Sequence, residues 1–394
     1  MLLCFLKVGD FVIIRDQIHG DMEFSDSEYK LISSRTFERL RYIKQLGFAE
    51  MVYPGASHNR YQHSLGVCQC VTDMYNAVVK NNPEFYREGD LELLRMMGLC
   101  HDLGHPPFSH AGEDLSDITH EERLYQILEL EKKNIRIRHD YDIPSWELVY
   151  QVYMGEGMEY YADPHLIVLH SFLDGFIDAD KLDYLERDSI NCGVSYGKFP
   201  KESLIRNLCI VKDKNGHEQL GIKYEGVQAL EGFVLARYYM FSQVYMHPME
   251  RLYRMQYVKE MKGYLQNGKY PNDVKKFLLL DDYKFARKFK FFDTKYELIY
   301  DSEFNEDVKY RIDRKLGDRV LCDVVRKSIF RKDTDDISIL VYDSLTGHTI
   351  PCARVSPLLN GIEYANIHKL RYYALSSNAD EVKKDLAKVL KGVR

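Results

Sequence analysis

A histidine and an aspartate stand side by side at the end of an apolar run, and further imidazoles follow at once: His101-Asp102-Leu103-Gly104-His105-Pro106-Pro107-Phe108-Ser109-His110. This stretch constrains the chain more than any other feature, because it places nitrogen and carboxylate ligands for a metal ion beside groups able to move protons. Upstream, Leu91, Leu94, Met97 and Leu99 recur near helical spacing after Asp90, a residue type that caps helix starts. A helix is therefore predicted with His101 and Asp102 in its last turn. Gly104 lets the chain leave it, and Pro106 and Pro107 prevent its resumption. Neighbouring helical residues point about 100° apart, so the pair can share one ion only near a terminus and with ligands from other segments.

His63 is a candidate donor, ahead of a predicted helix in which Leu65, Cys68, Thr72, Tyr75 and Val79 follow steps of three and four. A carboxylate between Asp178 and Asp188 is another, since Asp180, Tyr184 and Asp188 form a polar stripe while Leu182 and Leu185 face a core. Imidazoles plus carboxylates make a mixed nitrogen and oxygen site suited to Mn, Fe, Zn, Ni or, less comfortably, Mg.

In order, His63, His101-Asp102 and Asp180 match the H…HD…D signature of the HD-domain phosphohydrolases. The flanking blocks Arg39 to Gly47, Pro54 to Arg60, His63 to Gly66, and Asp180-Lys181 with Asp183-Tyr184 resemble its deoxynucleoside triphosphate triphosphohydrolase branch, the sterile-alpha-motif and HD-domain enzyme. Cys192 to Gly197 resembles smaller bacterial relatives of that enzyme. The resemblance runs from about Asp16 to about Arg251.

That resemblance implies His63, His101, Asp102 and Asp180 as ligands of one divalent ion, with further Mg accompanying the substrate. It implies hydrolysis of a dNTP at the α-phosphorus, releasing tripolyphosphate and a deoxynucleoside. His120 matches the catalytic acid, Glu113 its acidic partner, His110 a neighbour of the leaving oxygen and His105 an α-phosphate contact. Arg60, Lys181, Tyr184 and Arg237 match phosphate contacts, Gln45 and Asp188 contacts to the 3′-hydroxyl, and Tyr245 the ring that excludes a ribose 2′-hydroxyl. A lone histidine ordinarily satisfies backbone groups, but four between positions 101 and 120 beside a His-Asp pair favour chemistry. The match fails where the relative binds an activating guanine nucleotide, since Val12, Ser33 and Glu38 replace Lys, Asp and Gln. Nucleotide-driven tetramer assembly is not carried over, although a homo-oligomer, dimer or tetramer, is expected.

Composition fits a large enzyme. The 394 residues, 45% of them hydrophobic, furnish a sizeable core. Eight cysteines without a C-x-x-C pair indicate neither a disulfide framework nor a cysteine zinc site. The apolar opening Met1 to Leu6 is too short for a signal sequence or a membrane span, so a cytoplasmic protein is expected. A net charge of -6 argues against a broadly basic nucleic-acid surface, although Arg35, Arg39, Arg41 and Lys44 crowd one predicted helix that offers a polyphosphate a local patch.

The expected fold is mainly α: an HD-domain helical core, helical to about residue 205, with a short hairpin over Asn207 to Tyr224 turning at Asn215-Gly216. A long helix from about Val227 through Lys259 follows, with Arg237, Phe241 and Tyr245 on one face. Strand-like runs at Val320 to Val325 and Ile337 to Val341 and a helix from Ala379 to Leu390 suggest a smaller C-terminal α+β region. The expected division is 1–265 for the core with its N-terminal segment and 266–394 for that region. Two other functions compete with dNTP hydrolysis. One is hydrolysis of a different phosphoester, such as a nucleoside diphosphate or monophosphate, a cyclic nucleotide or single-stranded nucleic acid. The other is a non-catalytic nucleotide-sensing module.

Overall fold

The computed structural model describes residues 7–8, 11–155, 163–286, 295–328, 339–362 and 366–391. Met1 to Leu6 and the first residues of the run beginning at Ile337 lie outside them. The fold is mostly helical with small sheets, as the periodicity predicts. Its centre is the helix Arg60–Asn81, started by a reciprocal cap in which the Asn59 side chain accepts from Gln62 N and the Gln62 side chain from Asn59 N. His63 therefore lies in the first turn of this helix rather than ahead of it. The buried side chains Leu65, Val67, Cys68, Val71 and Met74 pack it against the helices Asp90–Cys100 and Ala179–Cys192.

Asp90 does not cap its helix. Gly89 takes that place with φ 92°, and the buried Asp90 carboxylate instead receives Tyr75 Oη at 3.0 Å and His165 Nε2 at 2.7 Å. Across the helix Ala179–Cys192, Asp178 accepts from Lys181 N at 2.8 Å and Gly193 ends the last turn at φ 68°.

Two features depart from the helical reading. Phe11–Asp16 and Gly20–Ser25 form an antiparallel hairpin that buries Val12, Met22 and Phe24 against the core. The expected long helix over 227–259 is divided into Val227–Tyr239, a π-helical stretch Met240–Tyr245, and Pro248–Tyr264. Pro248 has no N–H and drives His247 into extended backbone (φ -60°, ψ 133°), so the helix restarts there.

Leu208–Lys212 and Glu218–Lys223 pair as the expected hairpin. Glu218–Lys223 also pairs in parallel with Leu340–Asp343, which in turn pairs with His348–Pro351, giving a mixed four-stranded sheet. In the third sheet the central strand Asn366–Leu375 lies between Tyr296–Glu303 and Val320–Ser328. The helices Glu306–Leu316 and Ala379–Leu390 cover it through Ile312, Leu316, Val382 and Leu386. Between these parts, Tyr270, Phe277 and Phe285 pack with Phe48, Phe108 and Leu115 of the helical core. Among the described residues no helix is long and apolar enough to cross a membrane.

Candidate metal centre and adjoining cavity

Three elements deliver the expected ligands to one point. His63 Nε2 lies 3.3 Å from His101 Nε2 and 2.9 Å from Asp180 Oδ1. Asp102 adds Oδ1 at 3.4 Å from His101 Nε2 and Oδ2 at 3.8 Å from His63 Nε2. Both rings are held from behind: His63 Nδ1 donates to Asp183 Oδ2 at 2.8 Å, and His101 Nδ1 donates to the Gly98 carbonyl at 2.8 Å. With Nδ1 carrying the proton, each Nε2 turns a lone pair inward, and two lone pairs facing a carboxylate call for a cation. The side chains therefore fit a divalent ion.

Without an ion the same carboxylates hold a proton: burial disfavours the His63 imidazolium, yet hydrogen bonds to Asp180 and Asp183 push the group up to about 10, and a bound cation would take the place of the Nε2 proton. Burial opposes ionisation of Asp102, but Arg60, His101 and His105 hold it well below the usual carboxylate range. Arg60 Nη1 sits 2.6 Å from Asp102 Oδ2 while Arg60 Nε donates to Ser109 Oγ at 2.7 Å.

Asp183 is the residue that sequence reasoning assigned no role. Its carboxylate is fully buried and shared among His63 Nδ1, His19 Nε2 at 2.7 Å and the Arg187 guanidinium at 2.8 and 2.9 Å. Asp16, from the N-terminal hairpin, closes the network onto Arg187 at 2.9 and 3.1 Å. The available signal was an acid and a base four apart on the apolar side of a helix.

Beside the metal cluster lies a second group. The His105 and His120 rings stack at 4.2 Å, and Glu113 Oε1 stands 3.1 Å from both His120 Nδ1 and His110 Nδ1. Gly104 is needed here for contact, because a Cβ would lie 2.0 Å from the His120 carbonyl oxygen. Burial and the charge of Arg60 and His120 keep His105 neutral, well below its ordinary value. Burial also opposes charging of His120, but Glu113 and Glu121 prevail and raise it. The neutral form is thus favoured in one ring and the charged form in its neighbour. The loop that carries this group is strained, with φ 60° at Phe108 and 54° at Ser109. It is held by Phe108 N donating to Asp282 at 2.7 Å and by Ser109 Oγ donating to the Lys44 carbonyl at 2.6 Å.

A cavity of about 800 Å³ opens from here, and its wall includes Gln45, Arg60, His110, Glu113, Tyr184, Asp188 and Tyr245. Tyr245 Oη donates to Asp188 Oδ2 at 2.7 Å, and Asp188 Oδ1 meets His58 Nε2 at 2.7 Å. Among the described residues Gln45 Oε1 is buried without a hydrogen-bond partner. His120 lines a smaller recess on the other side of Glu113. Lys181 and Arg237 do not line the larger cavity: Lys181 pairs with Asp178 and donates to the Gly175 carbonyl at 3.0 Å, and the Arg237 guanidinium lies 5.8 Å from the Phe241 ring centre. The expected basic patch is internally satisfied in part, since Arg39 is buried against the carbonyls of His105 and Leu280, Arg41 pairs with Glu38, and Lys44 pairs with Glu50.

The HD domain model matches residues 60–151 and that of the HD associated region residues 201–302. The chain thus carries an HD domain followed by an HD associated region. The solved structure of a hypothetical protein from Aquifex aeolicus superposes with a TM-score of 0.78 at 28% identity, covering 95% of this chain and 100% of that one. YwfO of Bacillus subtilis is 33% identical over 250 residues, which are 62% of this chain and 54% of that protein. The mouse deoxynucleoside triphosphate triphosphohydrolase SAMHD1 is 48% identical over 99 residues, 25% of this chain and 15% of that enzyme. The chain thus spans about half the length of YwfO.

Proposed function

We propose that this chain is a metal-dependent phosphohydrolase that cleaves dNTPs at the α-phosphorus. The observation that carries the reading is the single cavity wall shared by Arg60, which touches ligand Asp102, by the His110–Glu113 pair, and by the Tyr245–Asp188 pair. His63, His101 and Asp180 would hold the ion with Asp102 beside them, and manganese is the first choice to test. A divalent ion bound there polarises a phosphoryl oxygen and lowers the pKa of the attacking water.

The remaining work falls to side chains. Arg60 draws the α-phosphate toward the ligands, and neutral His105, with Nε2 3.2 Å from Asp102 Oδ1, steadies that carboxylate. Attack of water on the α-phosphorus breaks its bond to O5′, and the departing oxygen needs a proton. His110 faces the cavity and delivers it, while Glu113 stands 3.1 Å from the His110 and His120 rings alike and orients both. Gln45 Oε1 accepts from the sugar 3′-hydroxyl, and the Tyr245 ring, fixed by Asp188, occupies the space of a ribose 2′-hydroxyl.

Product analysis tests this. Purified protein with Mn²⁺ and each dNTP should release deoxynucleoside and tripolyphosphate in equal amounts, with NTPs, NDPs and cyclic nucleotides turned over far more slowly. Stepwise release of orthophosphate rejects the reading.

A further inference from the structure

Glu250 is a pocket carboxyl to which the mechanism gives no task. It occupies the third position of the helix Pro248–Tyr264, where a glutamate ordinarily folds back onto the N–H of the capping residue. Here that N–H, from His247, donates to the Val244 carbonyl at 3.1 Å, so the carboxyl is released. It lines the cavity and makes no hydrogen bond or ion pair among the described residues. The two guanidiniums nearest in sequence are engaged elsewhere, Arg251 with Asp323 at 2.6 Å and Arg254 with Asp114 at 3.2 Å. Phe241, Val244 and Met246 are the apolar part of this wall, which Arg251, Arg254, Arg326 and Lys327 share. Burial pushes the Glu250 carboxyl up to about 7 against the pull of Arg254 and Arg251, as follows for an acid without a donor. Tyr245, which positions the sugar, is five residues away along the same wall.

Resting on the nucleotide reading above, we propose that Glu250 is a specificity-determining residue that reads the base, and that the base it selects is guanine. In its ionised form this carboxyl offers only acceptors, and its two oxygens match two adjacent N–H donors, which in turn favour that ionised form. Guanine presents that pair at N1 and the 2-amino group. Adenine and cytosine set one amino donor beside a ring acceptor that a carboxylate repels, and thymine sets one N–H between two carbonyls. A buried carboxyl without a hydrogen-bond donor of its own penalises bases that leave it unsatisfied.

The test compares kcat/KM for dGTP, dATP and dITP, and calorimetric binding of dGMP and dAMP, in the parental protein and in Glu250→Gln. The parental protein should prefer dGTP over dATP by about tenfold or more, with dITP, which lacks the 2-amino group, between them. Glu250→Gln places a donor beside an acceptor, which complements adenine, so the dGTP to dATP ratio should fall below one. Glu250→Ala should abolish the discrimination without reversing it. Equal kcat/KM for the bases in the parental protein, or an unchanged ratio in both variants, overturns the assignment while leaving dNTP hydrolysis standing. Absence of dNTP turnover with dGMP still preferred and the preference reversed in Glu250→Gln would instead sink the hydrolytic reading and keep the base contact.

Discussion

His63 and Asp183 are joined by a 2.8 Å hydrogen bond in which the ring donates from Nδ1, and this bond fixes which nitrogen the imidazole turns toward the ligand cluster. His19, the Arg187 guanidinium and His63 hold Asp183 well below the usual carboxylate range despite its burial, so it can only accept. In Asp183→Asn the amide keeps the shape and loses the charge, while Asp16 continues to hold Arg187. We expect Mn²⁺ affinity to fall about 10- to 100-fold, read by calorimetric titration. Unchanged affinity would show that the ring needs no such support.

The histidine group should announce itself in the pH profile. Burial opposes charging of His120, but Glu113 and Glu121 raise it, so its proton is kept to higher pH than in an ordinary imidazole and is lost as pH rises further. Activity that depends on this proton should therefore fall on the alkaline side. Glu113→Gln removes the charge and should shift that limb toward acid. His110→Gln and His120→Gln should each lower kcat by about 10² to 10⁴ and leave Mn²⁺ binding intact. A variant of either histidine with the parental rate would remove that ring from the proton path.

Gly66 follows His63 by one turn and lies against the supporting network. A Cβ added there would stand 2.0 Å from Asp183 Oδ1 and 2.4 Å from Arg187 Nη2. Gly66→Ala should lower stability by about 1–3 kcal/mol in denaturant titration and weaken Mn²⁺ binding together with it. Loss of stability alone, at full metal affinity, would separate the network from the ligands.

Asp282 ties the segment beyond residue 265 to the strained loop, accepting Lys44 N at 2.8 Å and Phe108 N at 2.7 Å. Asp282→Ala leaves two buried amides without partners, at about 1–3 kcal/mol each. We expect a lower Tm and, below it, a reduced kcat, because Ser109 loses the backbone that orients it toward Arg60. Asp282→Asn, which retains one acceptor, should fall between the two proteins.

Much of this was readable from residue order where the information is local. The three-four spacing of Leu65, Cys68 and Tyr75 marks a helix wherever it packs, the Asn215-Gly216 pair marks its turn, and the C-terminal helix spans Ala379–Leu390 as its pattern implies. The N-terminal hairpin escaped because its strands are short and its alternation, Val12 and Ile14 against Phe24 and Met22, emerges only when the two are set in register. Pro248 was a visible stop signal that the apolar periodicity on both sides overrode. The convergence of His63, His101, Asp102 and Asp180 was legible through their motif. Asp183 and the fate of Arg39 were not, because a buried charge is understood only through partners far away in the chain, here His19 for one and His105 and Leu280 for the other.

The strand Glu218–Lys223 belongs to the helical half, yet one of its edges is completed only by Leu340–Asp343, more than a hundred positions later. During synthesis that edge emerges with its amides and carbonyls unclaimed and must wait for its neighbour, a window in which another copy can pair with it. Cutting the chain where its composition changes would make that wait permanent, so a shortened protein should aggregate even though its ligands and histidines are all present.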